Sequence, residues 1–312
     1  VAIIALVVAG AGIFLWIALP IGSHEVPKTT AMPSTYDEDR FFVEPVMANG
    51  AKLRLLTDTG GGMFLTRGAV ERCRIKISWS IGRGDVARLD DLRAGAWIPE
   101  PVGAQRWIPV QEHEGDGMLG QRWFAGGVWT FDYPRKTLLL SNSPFHPTTE
   151  QASHSAALGF PTWLGIRSGN HPRFVVTIDG QTVDSLFDTG ATVRLTQNAL
   201  KVIGDDRPSE RATSFVAASQ FDRWRRDNPN WRVVEEAEQT SKLAIIEVPI
   251  IEVAGFKLGP AWFTRRPDAN YEWMSSYMDQ PIVASIGGNV LRNLRVTLDY
   301  PSAVAYFEHE SR

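Results

Sequence analysis

Residues 1–20 form an apolar run without a single charge, long enough to cross a bilayer as a helix at about 1.5 Å per residue. Such a helix has no polar stripe to turn toward water, which argues against an ordinary surface or core helix. Residues 1–22 are therefore expected to be a transmembrane anchor or a signal segment, and the length and bulk of Phe14, Leu15, Trp16 and Ile17 favour the anchor. Residues 23–40 then interleave Pro27, Thr29, Thr30, Pro33, Ser34 and Thr35 with polar neighbours, the pattern of an exposed linker. From Phe41 onward apolar positions come in short runs. Residues 41–46 lead to a turn at Asn49-Gly50 and a run at 53–56, while 174–178 lead to a turn at Asp179-Gly180 and a run at 183–187. Each reads as a β-hairpin. Short strands at close spacing, without long helical periods, predict a mainly β protein of closed or sandwiched sheets. Residues 141–172 hold Pro144, Pro147, Pro161 and Pro172 and read as a connection, within which Leu158, Phe160, Trp163 and Leu164 are expected to pack. Residues 220–228 predict a short amphipathic helix around Phe221 and Trp224.

The two hairpins belong to a longer internal repeat. Residues 53–60, Leu-Arg-Leu-Leu-Thr-Asp-Thr-Gly, are answered by residues 183–190, Val-Asp-Ser-Leu-Phe-Asp-Thr-Gly, and Leu65-Thr66 by Leu195-Thr196. Gly50 and Gly180, Asp58 and Asp188, and Thr66 and Thr196 all stand 130 residues apart. Further on the offset becomes 167, where Gly120 matches Gly287 and Phe131-Asp132-Tyr133-Pro134 matches Leu298-Asp299-Tyr300-Pro301. The change from 130 to 167 is an insertion of 37 residues in the second copy. Two copies of one supersecondary unit imply two similar lobes about an approximate twofold axis, which would bring Asp58 and Asp188 face to face. The predicted organisation is a first lobe over 41–140, a connection over 141–172 and a second lobe over 173–312.

Composition changes this picture little. With 44% hydrophobic residues in 312, the chain can bury two cores of ordinary size, and a net charge of −3 offers no basic stripe for nucleic acid. Cys73 is the only cysteine, so neither a disulfide framework nor a thiolate metal site is expected. Glu112, His113, Glu114 and Asp116 cluster, yet no second His stands at ligand spacing, and a solvated acidic turn is the expectation. No metal or cofactor is predicted.

Apolar-apolar-Asp-Thr-Gly followed by an apolar-Gly element, Leu119-Gly120 and Ile286-Gly287 here, resembles the aspartic peptidases, both the two-lobed pepsin type and the one-lobed retropepsin type. Asp116-Gly117-Met118-Leu119-Gly120 with Val128-Trp129-Thr130-Phe131-Asp132-Tyr133-Pro134 is similar to bacterial retropepsin-like domains, and the second copy repeats it. The likeness covers about residues 41–140 and 173–308. It implies a bilobal pepsin-like architecture of two β-barrel-like lobes related by pseudo-twofold symmetry, fused in one chain and therefore monomeric. It implies further that Asp58 and Asp188 are catalytic, that Thr59 and Thr189 lock the two loops across the axis, and that Gly60 and Gly190 let backbone approach the carboxylates. The glycine-rich stretch Ile81, Gly82, Arg83, Gly84 matches a retropepsin flap tip in spacing and type. With no Tyr between Asp58 and Phe131, Trp79, Trp97 or Trp107 would supply an aromatic wall, although core is the commoner fate of each.

Two carboxylates about 3 Å apart cannot both ionise near neutral pH, so they share a proton, one acting as base and one as acid. That is the chemistry of an aspartic endopeptidase cutting peptides or proteins in an apolar cleft, exported to the periplasm or another extracytoplasmic space and tethered through residues 1–20. The alternative is a bilobal peptide-binding or sensing protein without turnover. One departure from the pepsin pattern sets the expected pH range. Gly61 and Ala191 stand where pepsins carry Ser or Thr, so side-chain donors to the carboxylates are missing and activity is expected at weakly acidic to neutral pH.

Overall fold

A computed structural model describes residues 29–309 apart from 81–83, 91, 94–97 and 101–105. Strand outweighs helix, 42% against 17%, as short apolar runs punctuated by Gly and Pro require. The expected apolar helix of residues 1–20 lies outside the described residues, and among the described residues no helix is long and apolar enough to cross a membrane.

Three larger sheets carry the chain. The first repeat copy builds an eight-stranded sheet, in the order Ser34–Asp37, Arg40–Val43, Leu55–Thr57, Gly117–Leu119, Phe64–Thr66, Ile108–Gln111, Gly84–Ala87 and Ile77–Ser80. The second builds a nine-stranded sheet in which Gln181–Phe187 lies between Arg173–Ile178 and Ala284–Ile286. In both, the strand that ends at an Asp-Thr-Gly runs parallel to an apolar-Gly strand, with Thr57 opposite Leu119 and Phe187 opposite Ile286.

A six-stranded sheet joins the copies. Val128–Asp132 pairs antiparallel with Leu294–Asp299, and Thr130 faces Thr297, its own counterpart at the offset of 167. Their hydroxyls are 2.9 Å apart. The Asp-Tyr-Pro segments that follow explain their residue types. Asp132 accepts from Arg135 N and Asp299 from Ser302 N, capping matched turns at 3.1 and 2.9 Å. Tyr133 and Tyr300 are buried, Tyr133 against Phe41 and Tyr300 stacked on Phe124. The Leu-Thr pairs work in the same way: Leu65 and Leu195 are buried, while Thr66 and Thr196 cap the helices Arg67–Cys73 and Gln197–Ile203 through Ala69 N and Ala199 N.

Three sequence expectations change. The linker over 23–40 is sheet from Thr29: Thr29–Ala31 edges the six-stranded sheet beside Thr137–Ser141, and Ser34–Asp37 pairs with Arg40–Val43. Thr29, Thr30 and Thr35 lie in edge strands, where β-branched residues are favoured, and Pro33 occupies the bend between the two. The connection over 141–172 also holds structure, since Ser155–Ala157 forms the other edge of that sheet and Thr149–Ser153 is a helix closed by a capping box at Thr148. Leu158 and Phe160 pack as expected, but Trp163 and Leu164 do not: they tip a hairpin, 71% and 80% exposed. The predicted amphipathic helix is Ala218–Asp227, with Phe221 and Trp224 buried.

Candidate active site

Each Asp-Thr-Gly is positioned by backbone before any side chain acts. Asp58 N donates to Leu119 O and Asp188 N to Ile286 O, both at 3.0 Å, so the apolar-Gly strands set the depth of the two loops. The threonines then tie loop to loop. Thr59 Oγ1 donates to Phe187 O at 2.5 Å and accepts from Thr189 N at 3.2 Å; Thr189 Oγ1 donates to Thr57 O at 3.0 Å and accepts from Thr59 N at 3.1 Å. Both threonines are buried, so none of these groups has water as a substitute.

The glycines make room for the opposite carboxylate. A Cβ on Gly60 would come within 2.9 Å of Asp188 Cγ, and one on Gly190 within 2.5 Å of Asp58 Cβ. Gly60 N donates to Asp58 Oδ1 at 2.9 Å. Gly120 and Gly287 have no space for a side chain either, because a Cβ would run into the carbonyls of Gly62 and Thr213.

Asp58 and Asp188 therefore face each other, each loop's glycine lying against the opposite carboxylate, and each carboxyl perturbs the titration of the other; two carboxylates brought this close are accommodated by one shared proton. Burial raises the pKa of Asp58 against the lowering effect of Asp188 and of the backbone N–H groups of Gly60, Gly61 and Gly190. Burial, then the charge of Asp58, raises Asp188 well above the ordinary carboxylate range. Where Gly61 and Ala191 offer no hydroxyl, backbone N–H groups favour the charged forms instead, and desolvation still wins. Gly61 also has a steric reason to lack a side chain, since a Cβ there would collide with Asp58 Oδ2 and lie 2.7 Å from Met118 Cε.

The pair lies in a cleft of about 930 Å³. Its walls depart from the apolar expectation: Arg40, Arg54, Arg194, Glu114, Glu210 and Glu238 all line it, beside Phe42, Phe64 and Phe215. Arg194, from the second copy, bridges to Glu210 at 2.8 Å and to Glu114 of the first copy at 3.4 Å. His113, Glu114 and Asp116, expected as a solvated turn, thus border the cleft, with His113 against Phe64. A second cavity of about 740 Å³ begins at Gly60, Gly61 and Gly62 and is walled by aromatic and apolar groups including Trp107, Trp273 and Tyr277. His171 on its rim is pushed down to about 4 by burial and by the Arg122 charge, so its imidazole is neutral at physiological pH.

Of the expected flap, Gly84 opens the strand Gly84–Ala87, which pairs with Ile77–Ser80 as a hairpin; Ile81, Gly82 and Arg83 lie outside the described residues. Trp107 lines the second cavity and Trp79 is 70% exposed, so neither is core. Trp97 lies outside the described residues. The charged wall went unrecognised in the sequence. Its one legible signal is Arg40 beside Phe41-Phe42-Val43 in a strand whose residues are all buried, where a charge needs a partner. That partner is Glu210, 170 residues away at 3.0 Å. No protein-family model and no curated protein matches the chain.

Proposed function

We propose that this chain is an aspartic endopeptidase of bilobal, pepsin-like design, in which two retropepsin-like units fused in one polypeptide each supply one catalytic carboxylate. The observation that carries the reading is the reciprocal Thr59–Thr189 bonding that holds the half-buried Asp58 and the buried Asp188 side by side in a cleft. A binding module has no physical need for two acids forced together at the cost of desolvation. The sequence repeat and the Thr130–Thr297 pairing support the approximate twofold relation of the lobes.

Peptide hydrolysis follows from the shared proton. The ionised carboxylate accepts a proton from water as its oxygen attacks the scissile carbonyl carbon, and the protonated carboxyl donates to the carbonyl oxygen. The product is a neutral tetrahedral diol. Return of a proton to the amide nitrogen lets the C–N bond break, releasing a carboxylic acid and an amine and restoring one proton to the pair. The titration belongs to the pair, so neither Asp is assigned as acid or base.

The uncharged run 1–20 supports an exported, membrane-tethered enzyme. The test of the activity is digestion of a random peptide library with and without a statine-type mimic of the diol. Cleavage that the mimic suppresses is the expected result. Peptides and mimic that bind without any cleavage would establish the silent binding protein instead.

A further inference from the structure

The second cavity, of about 740 Å³, shares a wall with the first Asp-Thr-Gly loop, since Gly60, Gly61 and Gly62 line it. Those glycines lie against the dyad: a Cβ on Gly60 would come within 2.9 Å of Asp188 Cγ, and one on Gly61 would collide with Asp58 Oδ2. Gln121 adjoins them. Its N donates to Gly61 O at 2.9 Å, and it belongs to the same cavity wall. It is only 8% exposed, yet its side-chain Oε1 is buried without a hydrogen-bond partner. His171 lines the cavity too, and its Nδ1 is likewise buried and unpartnered. Burial and the Arg122 charge keep that imidazole neutral. Met63, Trp107, Trp273 and Tyr277 give the cavity its apolar surface, and Arg122 alone among the described residues that line it carries a charge.

A buried polar atom without a partner is costly, and native structures leave few of them. The fold does not ask for a carboxamide here, because the matching position in the second copy, 167 residues on, is Gly288. With no bond to fix it, the amide turns readily about its last torsion and presents either its carbonyl or its NH2 to an occupant. Neutral His171 likewise offers one donor and one acceptor. The group that answers both is uncharged, donates and accepts through one atom, and stands on an aromatic body that suits the apolar walls. That group is a phenol. We propose that this cavity is a substrate subsite, that it takes a tyrosine side chain within three residues of the bond cut, and that Gln121 selects tyrosine over phenylalanine through the hydroxyl. The span follows from Gly61, which touches both Gln121 and Asp58, and from an extended peptide's advance of about 3.3 Å per residue. The inference rests on the peptidase reading only in taking the occupant to be a peptide laid across the two carboxyls.

The experiment uses the full chain and statine-centred peptides with Tyr, Phe or Glu at each of three positions on either side, with binding measured by calorimetry. At one position the Tyr peptide is expected to bind about tenfold more tightly than the Phe peptide, the scale of one buried hydrogen bond. Gln121→Met, which conserves volume, removes the difference. The same variant without ligand should melt no lower than the parent, because the amide has no partner to lose; a lower melting temperature would assign Gln121 to the fold and overturn its role. Equal binding of Tyr and Phe peptides at every position, or a Tyr preference that survives Gln121→Met, also overturns it. So does a Glu peptide that outbinds Tyr at the selective position, which would make Arg122 the reader of the side chain. The wild-type comparison stands even if the variant does not fold. The same peptides with an ordinary amide in place of statine separate the two claims. Tyr-selective binding without cleavage keeps the subsite and removes the peptidase; cleavage indifferent to Tyr and Phe does the reverse.

Discussion

At the scale of single residues the dyad is an unfavourable arrangement that the fold enforces, and its cost shows in the pH dependence of stability. Asp188 is raised by burial and by the Asp58 charge, so the folded state holds a proton that the unfolded chain releases near pH 4, the ordinary Asp value of about 3.9. The stability tied to that proton is complete below the unfolded value and is lost as pH rises through the folded one. Asp188→Asn should therefore raise the melting temperature at pH 7 by a few degrees, on the order of 1–2 kcal/mol, with the gain shrinking toward pH 4; a constant gain across that range would mean the carboxyl is not shifted. The same raised values keep one proton on the pair into the weakly acidic to neutral range, where activity is expected to peak. Ala191→Ser adds a donor and should move the acid limb down by roughly one pH unit, measured as kcat/KM against pH. Gly61→Ser cannot serve as the matching test, because a Cβ there collides with the Asp58 carboxylate. The sequence showed both carboxylates and the lack of hydroxyls beside them. Gly60 and Gly190 signalled that backbone would approach the carboxylates, but that the N–H groups of Gly61 and Ala191 also donate depends on the path of the loops, which side-chain identity does not give.

Among elements, the Thr-bridged loops join the two copies most directly at the site. Thr59→Ala leaves Phe187 O and Thr189 N without partners in a buried setting, which should cost about 1–3 kcal/mol by denaturant titration. Catalysis should suffer as well, because a small misplacement of reacting groups is expensive. Thr59→Ser keeps the hydroxyl and should keep most of both; equal loss in Thr59→Ser and Thr59→Ala would assign the effect to packing. The hairpins were legible, since Asn49-Gly50 and Asp179-Gly180 act through near neighbours along the chain; the Leu-Thr and Asp-Tyr-Pro segments were legible only as repeats, and their work as helix caps and turns came from the fold. The edge strand Thr29–Ala31 and the edge strand Ser155–Ala157 were not, because an edge strand is defined by a partner, and theirs are Thr137–Ser141 and Val304–His309. The charged cleft wall was hidden for the same reason: the Arg40–Glu210 and Arg194–Glu114 pairs join residues far apart in sequence.

For the whole molecule, the six-stranded sheet draws strands from both copies and from Thr29–Ala31, so the shortest stable chain is longer than the composition of residues 23–40 suggested. Removal of residues 1–28 should leave a folded, soluble protein, whereas removal through residue 36 strips two strands and should lower the melting temperature by several degrees; equal melting of the two would show those strands to be dispensable. The full chain should partition with membranes through residues 1–20. The central claim is that two halves of one polypeptide share a single catalytic proton. It is tested most directly by turnover of the best library peptide by Asp58→Asn and by Asp188→Asn, each checked for native circular dichroism. Either change alone should lower kcat by at least about 10³-fold, as removal of one member of a catalytic unit does. Near-normal turnover in either folded variant would contradict the account.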